Sequence, residues 1–297
     1  MVTANEIPLE SQLRIKKIAV LTDFSGGADT ALRYAAVFAR TYGAGIVLAH
    51  AYIPPTSAFA DPEISLACEA MEDLRHGLEN RLLKETQAAF LHDIKCTTLL
   101  RVGGSKDLLD DLSNADLIVV GTSGETGLEK AALGSVAETI FRSSRIPVLT
   151  VGPHCRCGGE GEAVIKTVLY ATDFSPGATI ALPYALSIAK EHQAELILLY
   201  VKDDNDVPFS FERTMASEEP LEKLHQLTPA NKTTCIVGFG RSDAVILAEA
   251  KNRGANLIVI GARGVGAFAS VVSHFGGGTA YKVAVSADCP VLTIREA

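Results

Sequence analysis

The chain of 297 residues has no tryptophan, and only 6 % of it is aromatic. That removes the usual stacking platform for single-stranded nucleic acid. Positive charge is also short: 27 Lys and Arg stand against 35 Asp and Glu, a formal net charge of −8. Non-specific binding to nucleic acid or to an anionic lipid surface is therefore not expected. No run of 18 apolar residues occurs, so no membrane-spanning helix is predicted. The stretch from Met1 to Gln12 is polar and acidic without an apolar core, unlike a signal peptide. The cytoplasm is the expected location. In that setting the six cysteines, Cys68, Cys96, Cys155, Cys157, Cys235 and Cys289, are expected to be mostly reduced and structural.

Several catalytic and cofactor motifs are missing as well. A dinucleotide fingerprint needs Gly-x-Gly-x-x-Gly directly after the first strand, where this chain has Asp23-Phe24-Ser25-Gly26-Gly27. Gly103-Gly104-Ser105-Lys106 is too short for a P-loop. Gly121-Thr122-Ser123-Gly124 is not the Gly-x-Ser-x-Gly of a nucleophile elbow. No His, Asp and Ser set can be argued from spacing, and His50 and His274 read as packing or loop residues.

What is present is an alternation of buried strands and helices. The length suits two domains, and an apolar share of 47 % supplies their cores. Ile15–Asp23 reads as a strand ending in an acid, and Ala31, Leu32, Ala35, Ala36, Phe38 and Ala39 recur at helical spacing. Ile46–Tyr52 is a second strand, and Leu66–Leu91 a long amphipathic helix with Leu74, Leu78, Leu82 and Phe90 on its apolar side. The charges between Glu69 and Glu85 read as that helix's wet face, with the option that it covers part of a ligand site. Strands over Lys95–Val102, Leu117–Val120 and Ile146–Val151 follow, with helices around Leu108 and over Gly134–Arg142. This β-α order predicts an open, doubly wound, parallel five-stranded sheet flanked by helices.

The pattern then repeats. Leu21-Thr22-Asp23-Phe24-Ser25 returns as Ala171-Thr172-Asp173-Phe174-Ser175, 150 residues on. Leu117–Gly121 returns as Leu257–Gly261 at an offset of 140, and Pro147–Thr150 as Pro290–Thr293 at 143. An ordered match of this kind is a duplicated domain. The expected division is 14–152 and 164–297, joined by a polar, glycine-rich linker over 153–163.

The most informative stretch is the end of the fourth strand. The apolar run stops at Gly121; Gly124 follows; nine residues further on, Gly134-Ser135 opens a helix. Glycines at a strand end let backbone approach a ligand closely, and a helix start offers free amides and a hydroxyl to an anion. The stretch reads as a phosphate cradle.

Both halves resemble the universal stress protein domain, and the whole chain resembles a tandem universal stress protein. Gly121, Gly124, Gly134 and Ser135 fit the family's ATP-binding signature, Gly-x2-Gly-x9-Gly-Ser/Thr. The resemblance implies an adenine nucleotide alpha hydrolase-like fold and ATP, alone or with Mg2+, as ligand. It implies contacts from Asp23, which otherwise simply caps its turn, from the backbone near Ala49, and from Gly121, Gly124, Gly134, Ser135 and Val136. Lys130 is a candidate phosphate contact or a solvated loop lysine. The resemblance also implies that the last strands, ending at Val151 and Ile294, pair so that the halves form a pseudo-dimer, with further homodimerisation of two chains expected.

The second half departs from the signature. Gly261 and Gly264 keep the first two glycines, but nine residues later stand His274-Phe275. Counting back from Pro290 puts Gly277 opposite Gly134 and Gly278 opposite Ser135, unless a shift of one residue lets Thr279 serve. A degenerate site, a site altered for another ligand and an ATP site with a longer loop all remain open. Its weaker candidates are Asp173, Gly261, Arg263, Gly264, Gly277, Gly278 and Thr279, with Arg241 as a further cation. In the linker, His154-Cys155-Arg156-Cys157 offers soft ligands, and Cys155 and Cys157 are minor candidates for a metal or redox role.

The expected function is a cytosolic stress-response or regulatory protein that binds ATP in its first domain. The rivals are a slow ATPase or autophosphorylating enzyme, and a nucleotide-free interaction module.

Overall fold

The structure is a computed structural model and describes residues 13–54, 64–122, 133–155, 163–202, 210–227, 233–262 and 278–295. The first half contains β1 (Lys17–Leu21), α1 (Gly26–Tyr42), β2 (Gly45–Tyr52), α2 (Ile64–Thr86), β3 (Cys96–Val102), α3 (Ser105–Asp111), β4 (Leu117–Gly121), α4 (Ser135–Ser143) and β5 (Val148–Val151). The second contains β6 (Thr167–Thr172), α5 (Pro176–Thr179), α6 (Leu182–Glu191), β7 (Glu195–Lys202), α7 (Ser210–Gln226), β8 (Thr233–Phe239), α8 (Ser242–Asn252), β9 (Leu257–Ala262), α9 (Thr279–Ser286) and β10 (Val291–Arg295).

The central strands are apolar throughout because both of their faces are covered. In β1, Ile18 and Val20 enter one layer, with Phe38 of α1 and Leu82 of α2. Ala19 and Leu21 enter the other, with Leu108 of α3 and Ile140 of α4. The same division recurs in the second half, where Leu182 and Leu224 lie on the first face, and Ile246 and Val283 on the second. The helices thus cover both faces, as the β-α order predicts.

The strands join into one ten-stranded sheet, in the order β3-β2-β1-β4-β5-β10-β9-β6-β7-β8. Pairing is parallel within each half and antiparallel only at the seam, where Val291 faces Thr150, Leu292 faces Leu149, and Thr293 faces Val148. At the repeat offset of 143 this register is self-complementary: Leu149 meets its own counterpart Leu292, and each outer pair is the image of the other. The seam therefore has the logic of an isologous dimer interface inside one chain, and it buries two edges that would otherwise be open to pairing. Leu149 and Leu292 are both fully buried. Leu149→Ala and Leu292→Ala should each destabilise the chain by about 2–5 kcal/mol, by matching amounts. Urea unfolding measures this, and strongly unequal losses would contradict a symmetric seam.

Two details differ from expectation. Leu74 is 41 % exposed, whereas Leu82 is fully buried. So α2, which packs on β2 and β3, docks through its C-terminal part. The long helix read over 66–91 also stops at Thr86, and a 3-10 turn covers Ala89–Leu91. There Arg40 donates to the Phe90 carbonyl (2.5 Å) and pairs with Asp93.

The counterpart of α1 is split into α5 and α6. Pro183 stands 150 residues after Arg33, and its ring nitrogen has no hydrogen to donate to the preceding turn. Ala181 N bonds back to Ala178 O instead, closing the short first helix.

Candidate functional site

Strand order changes direction between β1 and β4: β2 and β3 lie to one side, β4 and β5 to the other. A crevice opens at such a point, beyond the carboxyl ends of the strands. Leu21 pairs with Val120, so Thr22-Asp23 emerges beside Gly121-Thr122.

The turn after β1 is tightly determined. Phe24 has a left-handed backbone, φ 65°. Thr22 Oγ1 accepts from Phe24 N (2.9 Å), Asp23 Oδ1 from Ser25 N (3.0 Å), and Ser25 Oγ from Ala28 N (3.2 Å). The second half repeats these bonds through Thr172, Asp173 and Ser175, with Phe174 at φ 60°. One oxygen of each aspartate thus holds its turn. Asp23 is half-buried, and Asp173 is exposed.

Gly121 ends β4 directly against the start of α1. A Cβ there would stand 3.0 Å from the Gly27 carbonyl carbon and oxygen. Next to it, Thr122 N donates to Val151 O (3.0 Å), and the Thr122 carbonyl accepts from Gly134 N (3.1 Å). This last bond brings the start of α4 back to the end of β4. Gly134 is the N-cap of α4 and makes no side-chain cap bond (φ −58°, ψ 156°). Ser135 and Val136 are exposed on the first turn, while Ala137 is buried below them. Gly124 and Lys130 lie outside the described residues.

Ala49 is fully buried, and its carbonyl accepts from Thr22 N (2.9 Å). Three neighbouring side chains were not singled out as site residues in the sequence. His50 Nδ1 lies 2.7 Å from the Thr22 carbonyl, and its ring packs on Phe24 at 4.7 Å. The Arg81 guanidinium of α2 lies over the same Phe24 ring, 4.2 Å from its centroid, and Glu85 accepts from Thr22 Oγ1 (3.3 Å). Burial pushes the Glu85 carboxyl up from its ordinary value, against the opposing effects of the Thr22 bond and Arg81. The charge-dense run from Glu69 to Glu85 was the available signal, since it allowed α2 to reach a site.

In the second half, Tyr200 stacks on Phe174 at 5.0 Å and Lys223 lies 5.8 Å from the same ring. Helix α9 corrects the placement of Gly277 opposite Gly134. Its N-cap is Gly278 (φ −57°, ψ 168°), and Thr279 is its first residue. Lys282 N donates to Gly278 O (3.1 Å), as Glu138 N does to Gly134 O (2.8 Å). The C-terminal ends of the two helices still align at 143, since Ser144 N bonds Ile140 O and Ala287 N bonds Val283 O. The helix is one residue shorter, and the slip falls at its start. Gly278 and Thr279 therefore take the places of Gly134 and Ser135, and 13 residues rather than nine separate Gly264 from the cap glycine. Gly261 is again pressed against its helix start, the Gly177 carbonyl. Arg241 pairs with Asp243 at 2.9 Å. Arg263, Gly264, Gly277 and Cys157 lie outside the described residues. Among those described, no group of three or more His, Cys, Asp or Glu is arranged to hold a metal ion, and no helix is long and apolar enough to cross a membrane.

A doubly wound, mostly parallel sheet duplicated about an antiparallel seam defines the class as a tandem α/β protein. The model of the universal stress protein family matches residues 14–152 and again 165–295. The chain belongs to the universal stress protein family. A universal stress protein of Mycolicibacterium smegmatis is 28 % identical over 298 residues, 94 % of this chain and 96 % of that protein. One from Thermus aquaticus is 34 % identical over 140 residues, 44 % of this chain and all of that protein. The crystal structure of a universal stress protein from Archaeoglobus fulgidus superposes with a TM-score of 0.69 at 22 % identity, over 96 % of this chain and 97 % of that one.

Proposed function

We propose that the chain binds ATP in its first half, at the carboxyl ends of β1 and β4, and acts as a nucleotide-dependent stress-response or regulatory protein. Domains of 14–152 and 164–297, joined by 153–163, frame this reading. The observation that carries it is Gly134. Its φ of −58° is open to any residue, and among the described residues the nearest atom to an added Cβ is the Thr122 carbonyl oxygen at 3.9 Å. The described residues do not require glycine there, and a Ser or Asp would cap the helix better. A ligand phosphate approaching the bare amides of the first turn of α4 does require it. Ser135 adds a hydroxyl at the same place, and Val136 adds a backbone amide. Gly124 and Lys130 complete the proposed cradle, and Asp23 offers its second oxygen to the adenine or ribose end. ATP, alone or with Mg2+, is the ligand of this reading.

Purifying the chain and identifying bound nucleotide by mass spectrometry tests it. Adenine nucleotide, or ATP binding in calorimetry, is expected; neither being found would overturn the proposal. Asp23→Ala should weaken ATP binding roughly 10- to 100-fold, the loss of about 1.5–3 kcal/mol for a hydrogen bond to a charged group. Asp173→Ala loses the same kind of turn bond and is the control for stability. Equal effects of the two on ATP affinity would show that Asp23 acts only as a cap.

A further inference from the structure

We propose that Cys155 and Cys289 form a redox-modifiable pair that closes a disulfide across the boundary between the two halves. The seam ladder ends at Val291 opposite Thr150. Continuing that register places Pro290 opposite Val151 and Cys289 opposite Gly152. The chain then turns back on itself, with Cys155 N donating to Gly152 O (3.1 Å). From the position a Gly152 Cβ would take, the Ala287 carbonyl oxygen is 3.3 Å away and Cys155 Sγ 3.8 Å. The missing side chain of Gly152 is what lets Cys155 and the 287–289 segment converge from the two halves.

Both cysteines are buried, Cys155 at 6 % and Cys289 at 8 % exposure. Burial pushes the Cys289 thiol up to about 12, and the Cys155 side chain adds a smaller electrostatic push in the same direction. That push is what two neighbouring thiols in a dry site produce. The arrangement is not imposed by the repeat. Cys289 corresponds to Ile146 at the offset of 143, and the same register continued past the other end of the seam sets Ile146, not a cysteine, opposite Arg295. The link therefore staples one end of the seam.

Hydrogen peroxide, a small uncharged oxidant, is the oxidant class of this proposal. The thiolate of one cysteine attacks a peroxide oxygen, the O–O bond breaks, and a sulfenic acid and hydroxide form; the hydroxide leaves as water on protonation. The other thiolate attacks the sulfenic sulfur, the S–S bond forms, the S–O bond breaks, and a second water leaves. Two thiols lose two electrons and two protons, and one peroxide becomes two waters. Because both groups are buried and Cys289 is held protonated, oxidation is slow and reports sustained exposure. Thr122 Oγ1 lies 3.9 Å from the same Gly152 position, so the bond would form beside the end of β4. The disulfide itself does not depend on the nucleotide reading.

Peptide mapping of the peroxide-treated full chain without reductant tests the pair. Trypsin separates Cys155 (146–156), Cys157 (157–166) and Cys289 (283–295). The expected product is 146–156 linked to 283–295. Its formation should raise the thermal midpoint by roughly 5–10 °C, reversibly with dithiothreitol and not in Cys289→Ser. Cys155 linked to Cys157 instead, or both thiols still alkylated after oxidation and unfolding, would overturn the proposal. The wild-type map decides this even where the variant fails to fold.

Discussion

Gly261→Val is expected to destabilise the chain by more than about 3 kcal/mol, and Gly121→Ala by about 1–3 kcal/mol. Gly121 ends β4 and Gly261 is the penultimate residue of β9, and each meets the first turn of the helix that follows the half's first strand. At Gly121 an added Cβ would press on the Gly27 carbonyl at 3.0 Å and on Ala28 N at 3.3 Å. At Gly261 it would overlap the Gly177 carbonyl outright and stand 2.6 Å from Ala178 Cα. The obstructing atoms are backbone on both sides, so no side-chain rotation relieves the overlap. The helix start must move instead, and with it the Asp-Phe-Ser turn that holds it. Urea unfolding of both variants measures the order. A Gly261→Val midpoint equal to wild type would show that the helix start yields, and the packing account would fail.

Gly134→Val is expected to reduce ATP affinity by at least about 100-fold while changing folding stability by no more than about 1 kcal/mol. The contrast with Gly121 is the reason. Both belong to one glycine signature, yet of the two the atoms of the described residues demand glycine only at Gly121. At Gly134 the backbone is unstrained and no described residue fills the space, so the valine side chain is expected to intrude on whatever approaches the α4 amides. Calorimetry with ATP and a thermal melt, run on the same preparation, check both halves of the statement. A variant that keeps its affinity would mean the cradle lies elsewhere. A variant that loses affinity only because it unfolds would mean Gly134 is structural.

The strand and helix order was legible because both sheet faces are covered: continuous apolar runs such as Ile18–Leu21 are what a strand packed on both faces needs. The pairing of Val148–Thr150 with Val291–Thr293 followed from the resemblance and from edges that need a partner. The start of α9 was harder to read. Counting from Pro290 assumed equal helices, and only cap geometry shows that Gly278, not Gly277, opens this one. The break at Ile180 was within reach, since Pro183 removes a donor, but the match of Ala181-Leu182 to Ala31-Leu32 masked it. His50 of β2 and the Arg81–Glu85 pair of α2 come from two separate elements and meet around the Thr22–Phe24 turn only after folding. The juxtaposition of Cys155 with Cys289 likewise depends on a seam register that no local pattern encodes. The double role of the first glycine was also hidden. Close backbone approach was expected at Gly121, but the approaching backbone is the chain's own α1.

The central claim is a single nucleotide site per chain, in the first half. Calorimetric titration of ATP into the wild-type chain and into Gly278→Val measures it most directly. The expected result is a stoichiometry of about one in both, with unchanged affinity in the variant. A stoichiometry of about two that falls to one in Gly278→Val, or no binding to the wild type, would contradict it.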